Sequence, residues 1–394
     1  MGSKDFFALL VSRSVEIIDR EGLRRKIASR RSLRVKLGVD PTTPDLHLGH
    51  AVPLRMLRSF QDAGHQAVLI IGDFTGQIGD PSGKLAARRQ LTASETKANE
   101  RTYRAQIGTI LDLRRTEVRR NSEWFGRMRL AEFLALLAKF PLKSAWERED
   151  FQARLRAGRA VYLHEAMYHV LQAYDSVAVR ADVELGSLDQ RLNLLAGREL
   201  GSRLGRIVQD VVLLPYLIGL DGREKMSKTA GNTINLRDSA RDMFGKVMSI
   251  LDALIANYAA LAAWLPPERV RGIERRLKAG ENPRDVKIEV AEAVAERYHG
   301  AAEARRARSA FLSLFSKRER DVAMPGVTLP RRAYAPLELL VAIHAARSVS
   351  DARRLLRGGA LEVDGERIVP GGRTVLIRRG SVIRVGKKRF WRVR

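Results

Sequence analysis

The chain has 394 residues, 45% hydrophobic and 29% charged, enough for two or three domains with a sizeable core. It contains no cysteine, which excludes disulfides, thiolate catalysis and a cysteine zinc site and fits a cytoplasmic protein. Its net charge of +26 points to a polyanionic partner such as a nucleic acid, although 56 of the 71 basic residues are arginine, so arginine-favouring codon usage is a competing cause.

The short apolar run from Phe6 to Val11 meets polar and charged residues at once and reads as the start of a helix, not as a signal peptide. No stretch approaches the roughly 18 uninterrupted apolar residues of a membrane span, so no membrane partner is expected. Residues 1 to about 235 then alternate strand and helix patterns. Val35 to Asp40 is predicted as a strand ending at Pro41, whose fixed φ and missing N–H favour a turn. Leu46 to Ala63 has helical periodicity, with Asp45 as N-cap, Gly64 as stop and a local kink at Pro53. Gln66 to Gly72 is nearly all apolar and suits a strand buried on both faces. These three elements make a βαβ unit, so a doubly wound, Rossmann-like α/β domain with a parallel sheet is expected.

From about 238 to 330 the chain reads as helical and charged. The breaker at 280–283 precedes a helix from about Arg284 to Tyr298, on which Glu289, Glu292 and Glu296 share a solvated face. Residues 317–333 read as a linker. The last 64 residues carry 16 Lys/Arg against 5 Asp/Glu. They read as a small α+β domain: a helix from Pro336 to His344, a second capped by Ser350 and running to about Leu356, and strands at 361–363, 368–369, 375–377 and 382–385. The expected domains are 1–235, 236–330 and 331–394.

Two segments 175 positions apart, counted from His50 to Lys225, carry the chemistry. In Asp45-Leu46-His47-Leu48-Gly49-His50 the histidines lie at i and i+3 on the first turn of the predicted helix, where free N–H groups and the dipole favour phosphate. Gly49 leaves room for an adenine ring against the backbone. Two surface histidines beside a cap are the plain alternative; a metal site lacks a third ligand, and no protein-bound metal is expected. The second segment is the basic loop Gly222-Arg223-Glu224-Lys225-Met226-Ser227-Lys228-Thr229. Between them Asp73 to Lys84 is rich in glycine. A P-loop fails there because Ile78 stands where glycine is needed and Leu85 follows Lys84. The glycines at 72, 76 and 79 are also wrongly spaced for a dinucleotide fingerprint.

Together these segments resemble the His-x-Gly-His and Lys-Met-Ser-Lys-Ser signatures of class I aminoacyl-tRNA synthetases. The runs Asp40-Pro41-Thr42, Ile71 to Gly76, Ile78 to Lys84, Asn121-Ser122-Glu123-Trp124, Leu171 to Ser176 and Ala181 to Gly186 resemble the bacterial tyrosyl-tRNA synthetase family over nearly the whole chain. The resemblance implies activation of L-tyrosine by ATP with Mg2+ as a substrate complex, then transfer to tRNA(Tyr), in a homodimer. It places Asp80, Tyr168 and Gln172 on the substrate ammonium and Asp175 on the tyrosine hydroxyl. Asp189 and Gln190 fall near the ribose and the reacting carboxylate. Lys84, Arg88, Lys225 and Lys228 are the cations that close on pyrophosphate, alongside His47 and His50. Asp40, Thr42, Gly49, Met226 and Ser227 complete the ATP site. Lys36 stands where one branch has a tyrosine near the substrate hydroxyl. Ser187 replaces a glycine and Leu188 a small polar residue, which puts ATP affinity in doubt; Thr229 for serine keeps the hydroxyl.

The segment from about 335 onward resembles a small RNA-binding domain first known from a ribosomal protein, through Ser350 to Ala360, Val363 to Glu366 and Val382 to Phe390. Arg353, Arg354 and Arg357 crowd one helix face and Lys387, Lys388 and Arg389 follow, a set suited to RNA phosphates; no DNA partner is expected. Two alternatives stand beside this reading. One is a paralogue that binds RNA without aminoacylating, the other a synthetase for a different aromatic amino acid.

Overall fold

β2 (Arg34–Val39) and β3 (Gln66–Ile71) pair in parallel along their whole lengths, with the helix Leu48–Asp62 crossing between them. β3 is buried almost throughout, as a continuous apolar run in a central parallel strand must be. With β1 (Glu16–Ile18), β4 (Thr116–Arg120), β5 (Val183–Ser187) and β6 (Asp210–Leu214) they form one sheet in the order β1-β6-β5-β2-β3-β4. Only the β1–β6 edge pair is antiparallel. The expected doubly wound α/β sheet is therefore present. Its order reverses between β2 and β5, and such sheets bind ligands outside the carboxyl ends of the strands that diverge there.

The computed structural model describes residues 2–29, 31–82, 90–146, 148–206, 208–315, 324–346, 348–368, 374–386 and 389–394. The chain divides into two compact units, Met1–Arg308 and Ser309–Arg394. The helices from Ala240 to His299 thus belong to the same unit as the sheet. Among the described residues no single helix is long and apolar enough to cross a membrane.

The helix Leu48–Asp62 starts two residues later than its periodicity suggests. Leu48 N–H donates to Ile234 O at 2.9 Å and Leu236 N–H to Leu46 O at 2.8 Å, with His47 bridging Asn235. This pairing holds His47 extended, so His47, not Asp45, occupies the N-cap, and Asp45 instead pairs with Arg237 at 3.2 Å. The other end matches expectation. Gly64 adopts a φ of 91°, His65 N–H bonds Phe60 O and Gly64 N–H bonds Gln61 O, a Schellman closure. Pro53 lies inside the helix, where it removes the i+4 N–H donor that Gly49 O would otherwise have.

Asn282 caps the helix Pro283–His299 by accepting Arg284 N–H. The face carrying its glutamates is not simply solvated. Glu289 accepts from Arg269 at 2.9 Å and Arg276 at 2.7 Å, and Glu292 from Arg308 at 2.9 Å, so arginines of the neighbouring helices bind that face; Glu296 is exposed.

In the second unit, β7 (Gly326–Val327), β9 (Leu361–Val363), β10 (Glu366–Arg367), β12 (Val382–Val385) and β13 (Arg389–Val393) form a sheet ordered β10-β9-β12-β13-β7. β8 (Ala333–Tyr334) pairs with β11 (Val375–Leu376). Part of the stretch read as linker therefore supplies β7 and β8, which are too short to show strand periodicity. Ser348, not Ser350, caps the helix Val349–Arg357, its Oγ accepting Asp351 N–H at 3.2 Å. The strand expected at 368–369 lies at Glu366–Arg367, because Asp364 (φ 49°) and Gly365 (φ 90°) make a two-residue turn that sets its register on β9. Val369 lies outside the described residues.

Lys36 and Glu184 stand opposite each other in the β2–β5 register, both buried. Lys36 Nζ donates to Glu184 Oε1 at 2.5 Å, Ser176 Oγ at 2.9 Å and Gln172 O at 3.3 Å. Glu184 Oε2 accepts from Ser176 at 2.7 Å and Gln209 at 3.0 Å. Removing one partner of such a pair leaves a buried charge uncompensated. Lys36→Met should lower the free energy of unfolding by about 3–5 kcal/mol in urea titrations, and Lys36→Met/Glu184→Gln should recover most of that loss.

Candidate active site

A cleft of about 570 Å³ opens at the carboxyl ends of β2 and β5. Asp40, Thr42, His47, Gly49, His50, Asp80, Tyr168, Gln172, Asp175, Asp189, Gln190, Lys225, Met226, Ser227 and Lys228 all line it. Lys36 is not among its lining residues, and its ammonium is spent on Glu184, Ser176 and Gln172 O. Lys84 and Arg88 lie outside the described residues, as do Lys387 and Lys388 of the second unit.

One end of the cleft is acidic. Asp40, just after β2, accepts from Tyr168 Oη and Thr75 Oγ1, each at 2.8 Å. A Cβ at Gly72 would lie 1.9 Å from Asp40 Oδ1 and 2.4 Å from Thr75 Oγ1, so only glycine leaves this carboxylate its place. Asn121 ties the next layer: its Nδ2 donates to Thr75 Oγ1 at 2.9 Å and Asp175 Oδ2 at 3.4 Å, and its Oδ1 accepts Phe74 N–H at 2.9 Å. Trp124 Nε1 donates to Asp175 Oδ1 at 2.9 Å. Burial pushes the Asp175 carboxyl up to about 7, against the opposing pull of Lys36, Trp124 and Asn121. Burial beside Asp40 and Asp80 also pushes the Tyr168 phenol up, so it remains a proton donor.

The other end is basic. The His47 and His50 rings lie 3.8 Å apart between centroids, and His47 N–H donates to His50 Nδ1 at 3.3 Å, which leaves Nε2 to carry the His50 proton. Burial, then His50, Lys228 and Lys225, push the His47 imidazole down to about 2. It is a neutral hydrogen-bonding group at any working pH. A Cβ at Gly49 would come within 2.9 Å of His47 Nδ1, so this glycine makes room for the ring. Burial lowers the Lys228 ammonium, with Asp45 opposing.

The loop carrying the lysines is pinned by the buried Asn232, which accepts Ser227 N–H at 2.8 Å and donates to Asp221 at 2.6 Å. Met226 N–H bonds Leu217 O at 2.8 Å. Lys225 pairs with Asp189 and stands 5.5 Å from the Tyr216 ring centroid. Ser187 Oγ donates to the other Asp189 oxygen at 2.5 Å. The serine that departs from the family pattern thus orients Asp189, while Leu188 is exposed. Sequence reasoning assigned no part to Thr75, Asn121, Trp124, Tyr216 or Glu184. Thr75, Asn121, Trp124 and Glu184 stood in runs that carry the resemblance, and nothing local marked Tyr216.

In the second unit Arg353, Arg354 and Arg357 are exposed on one helix, Arg354 pairing with Asp351 at 2.7 Å. Arg389 donates to Ala345 O at 2.7 Å and so also braces its own domain.

A parallel sheet with its crevice at the strand reversal, histidines at a helix start and a lysine loop facing them define a class I synthetase. Residues 28–316 match the family described as tRNA synthetases class I (W and Y), and the chain belongs to it. It is 44% identical over 373 residues to the tyrosine–tRNA ligase of Moorella thermoacetica, covering 94% of this chain and 90% of that one. It is 45% identical over 380 residues to that of Thermotoga maritima, covering 96% and 94%. Its fold is similar to that of the tyrosyl-tRNA synthetase from Archaeoglobus fulgidus complexed with L-tyrosine. The TM-score there is 0.64 at 21% identity, over 78% of this chain and 99% of that one.

Asp175 sets a pH dependence of stability. An unfolded aspartate ionises near pH ~4, whereas the folded one holds its proton to about 7, so the folded state binds more protons across that window. Stability contributed by this group is full below about pH 4 and lost as pH rises through 7. Asp175→Asn should flatten that segment of the profile, as urea denaturation across the window will read.

Proposed function

We propose that this protein activates L-tyrosine with ATP to tyrosyl-adenylate and pyrophosphate, then transfers tyrosine to the 3′-terminal adenosine of tRNA(Tyr). The observation that carries this reading is Asp175. It is a buried carboxylate with amide and indole donors on two sides and lone pairs left for a phenol O–H, at the acidic end of a cleft whose other end is basic. The relatives named above support the same chemistry. In this arrangement the tyrosine hydroxyl donates to Asp175, and phenylalanine would leave that buried acceptor unpaired. Asp80, Tyr168 and Gln172 take the ammonium.

The tyrosine carboxylate attacks the α-phosphorus of ATP and the bond to the bridging oxygen breaks, so charge moves onto pyrophosphate. His47 and His50 donate to the phosphates at the helix start, where the dipole adds to them. Lys84, Arg88, Lys225 and Lys228 interact most strongly once that charge has moved. Asp189 is shared: ATP ribose hydroxyls compete with Lys225 for it and release the lysine toward the phosphates. Mg2+ arrives with ATP as part of the substrate complex. A ribose hydroxyl of the tRNA terminus then attacks the tyrosyl carbonyl and AMP leaves.

The division of labour follows the sequence: residues 1–235 catalyse, 236–330 form a helical anticodon-recognition region with its linker, and 331–394 bind RNA through the exposed arginines. The protein works in the cytoplasm. A second copy covers the apolar face around the helix Leu163–Ala178, on which the helices Leu130–Leu137 and Leu142–Trp146 pack. Leu130, Leu142 and Leu163 there are 73%, 74% and 74% exposed.

Tyrosine-dependent exchange of labelled pyrophosphate into ATP is the deciding assay. Exchange is expected with tyrosine and not with phenylalanine or tryptophan, and Asp175→Asn should lower kcat/KM for tyrosine by at least about tenfold. Exchange with phenylalanine or tryptophan instead, or none at all from folded protein, defeats the reading. Sedimentation should give a dimer that Leu142→Glu/Leu163→Glu converts to monomer; a monomeric wild type refutes the second copy.

A further inference from the structure

The mechanism above makes no use of Arg148, which immediately precedes the helix Glu149–Arg156. Arg148 is 5% exposed and lies beside Ser82 at 4% and Asn193 at 1%. Its Nη1 donates to Asn193 Oδ1 and its Nη2 to Ser82 Oγ, both at 3.1 Å. Nε and Nη2 also hold Asp150 at 3.0 and 2.8 Å, which balances the charge locally. Asn193 Nδ2 donates onward to Gln190 Oε1 at 3.0 Å and to Ser82 Oγ at 3.2 Å. Gln190 Nε2 donates to Asp80 Oδ2 at 2.7 Å, and Ser82 N–H donates to Asp80 Oδ1 at 2.9 Å.

The direction of this relay is not free. A guanidinium only donates, a carboxylate only accepts, and an amide has one end of each kind. Facing Arg148, Asn193 must present Oδ1, so its Nδ2 points to Gln190. Gln190 must then present Oε1 to Asn193 and Nε2 to Asp80. With the guanidinium at one end and the carboxylate at the other, the buried Asn193 amide and the half-buried Gln190 amide have one arrangement. Without Arg148, Asn193 can turn over, present its oxygen to Gln190, and set the Gln190 carbonyl against the Asp80 carboxylate.

We infer that Arg148 is a positioning residue that fixes both amide orientations and thereby aims Asp80 at the substrate ammonium. The inference rests on the proposed function, in which Asp80 binds the tyrosine ammonium. Arg148 acts through its neighbours, since it does not line the cleft itself. Its effect is specific to the charged group that Asp80 meets and does not extend to the phenol end.

The test compares binding of tyrosine with binding of 3-(4-hydroxyphenyl)propionate, which keeps the phenol and carboxylate and lacks the ammonium. Calorimetric affinities for both give a discrimination ratio. Asp80→Asn should collapse that ratio; if it does not, the site reading beneath the inference is wrong. Arg148→Met should lower the ratio about tenfold; any loss at the substrate carboxylate, near which Gln190 also stands, falls on both ligands and cancels in the ratio. Arg148→Lys, which still donates to Asn193, should recover part of the loss. Asn193→Leu should give the same fall, and combining it with Arg148→Met should add nothing. Equal weakening of both ligands, or an unchanged ratio alongside a collapsed Asp80→Asn, overturns the inference. Should Arg148→Met fail to fold, Asn193→Leu carries the same comparison without removing a charge.

Discussion

Three carboxylates, Asp40, Asp80 and Asp175, share a crevice where two central strands diverge, and a carboxylate cannot be desolvated without donors. Most of the surrounding structure answers that demand. Tyr168 and Thr75 serve Asp40, Ser82 and Gln190 serve Asp80, and Trp124 and Asn121 serve Asp175. Gly72 is glycine because Asp40 and Thr75 fill the space a side chain would need. Beneath them Lys36 and Glu184 lock β2 to β5 and place a positive charge behind Asp175.

The cleft is polarised by the same logic. Its acidic end suits an ammonium and a phenol, and its basic end suits phosphates. His47 contributes there without charge, since burial and its cationic neighbours keep it neutral. In the proposed reaction a neutral donor would stabilise phosphate without repelling Lys225 and Lys228. Lys225 is meanwhile held by Asp189, whose other oxygen is fixed by Ser187. A residue that looked like damage to the nucleotide site is therefore part of its order.

The arginine excess is used differently in different places. In the first unit arginines such as Arg269, Arg276 and Arg308 are drawn onto glutamates and brace helices. In the second unit Arg353 and Arg357 are exposed with no carboxylate partner among the hydrogen bonds of the described residues, which leaves them available for the RNA contact proposed above.

The sequence by itself determined the βαβ core, because continuous apolar runs and their breakers depend on neighbours in the chain. It likewise determined the cleft's identity, because the His-Leu-Gly-His and Lys-Met-Ser-Lys segments are contiguous. The Asp364-Gly365 hairpin and the Ser348 cap are also short-range signals carried by the sequence. Tertiary structure decided what depends on distant partners. Segment 234–236 holds His47 extended as the N-cap and moves the first helical residue to Leu48. Glu184 takes Lys36 out of the pocket, and Arg148 reaches Asp80 through two amides remote from it in the chain. Burial shifts Asp175 and His47 away from their ordinary protonation. Desolvation and hydrogen-bond direction are properties of the assembled interior, and no local pattern of residues encodes them.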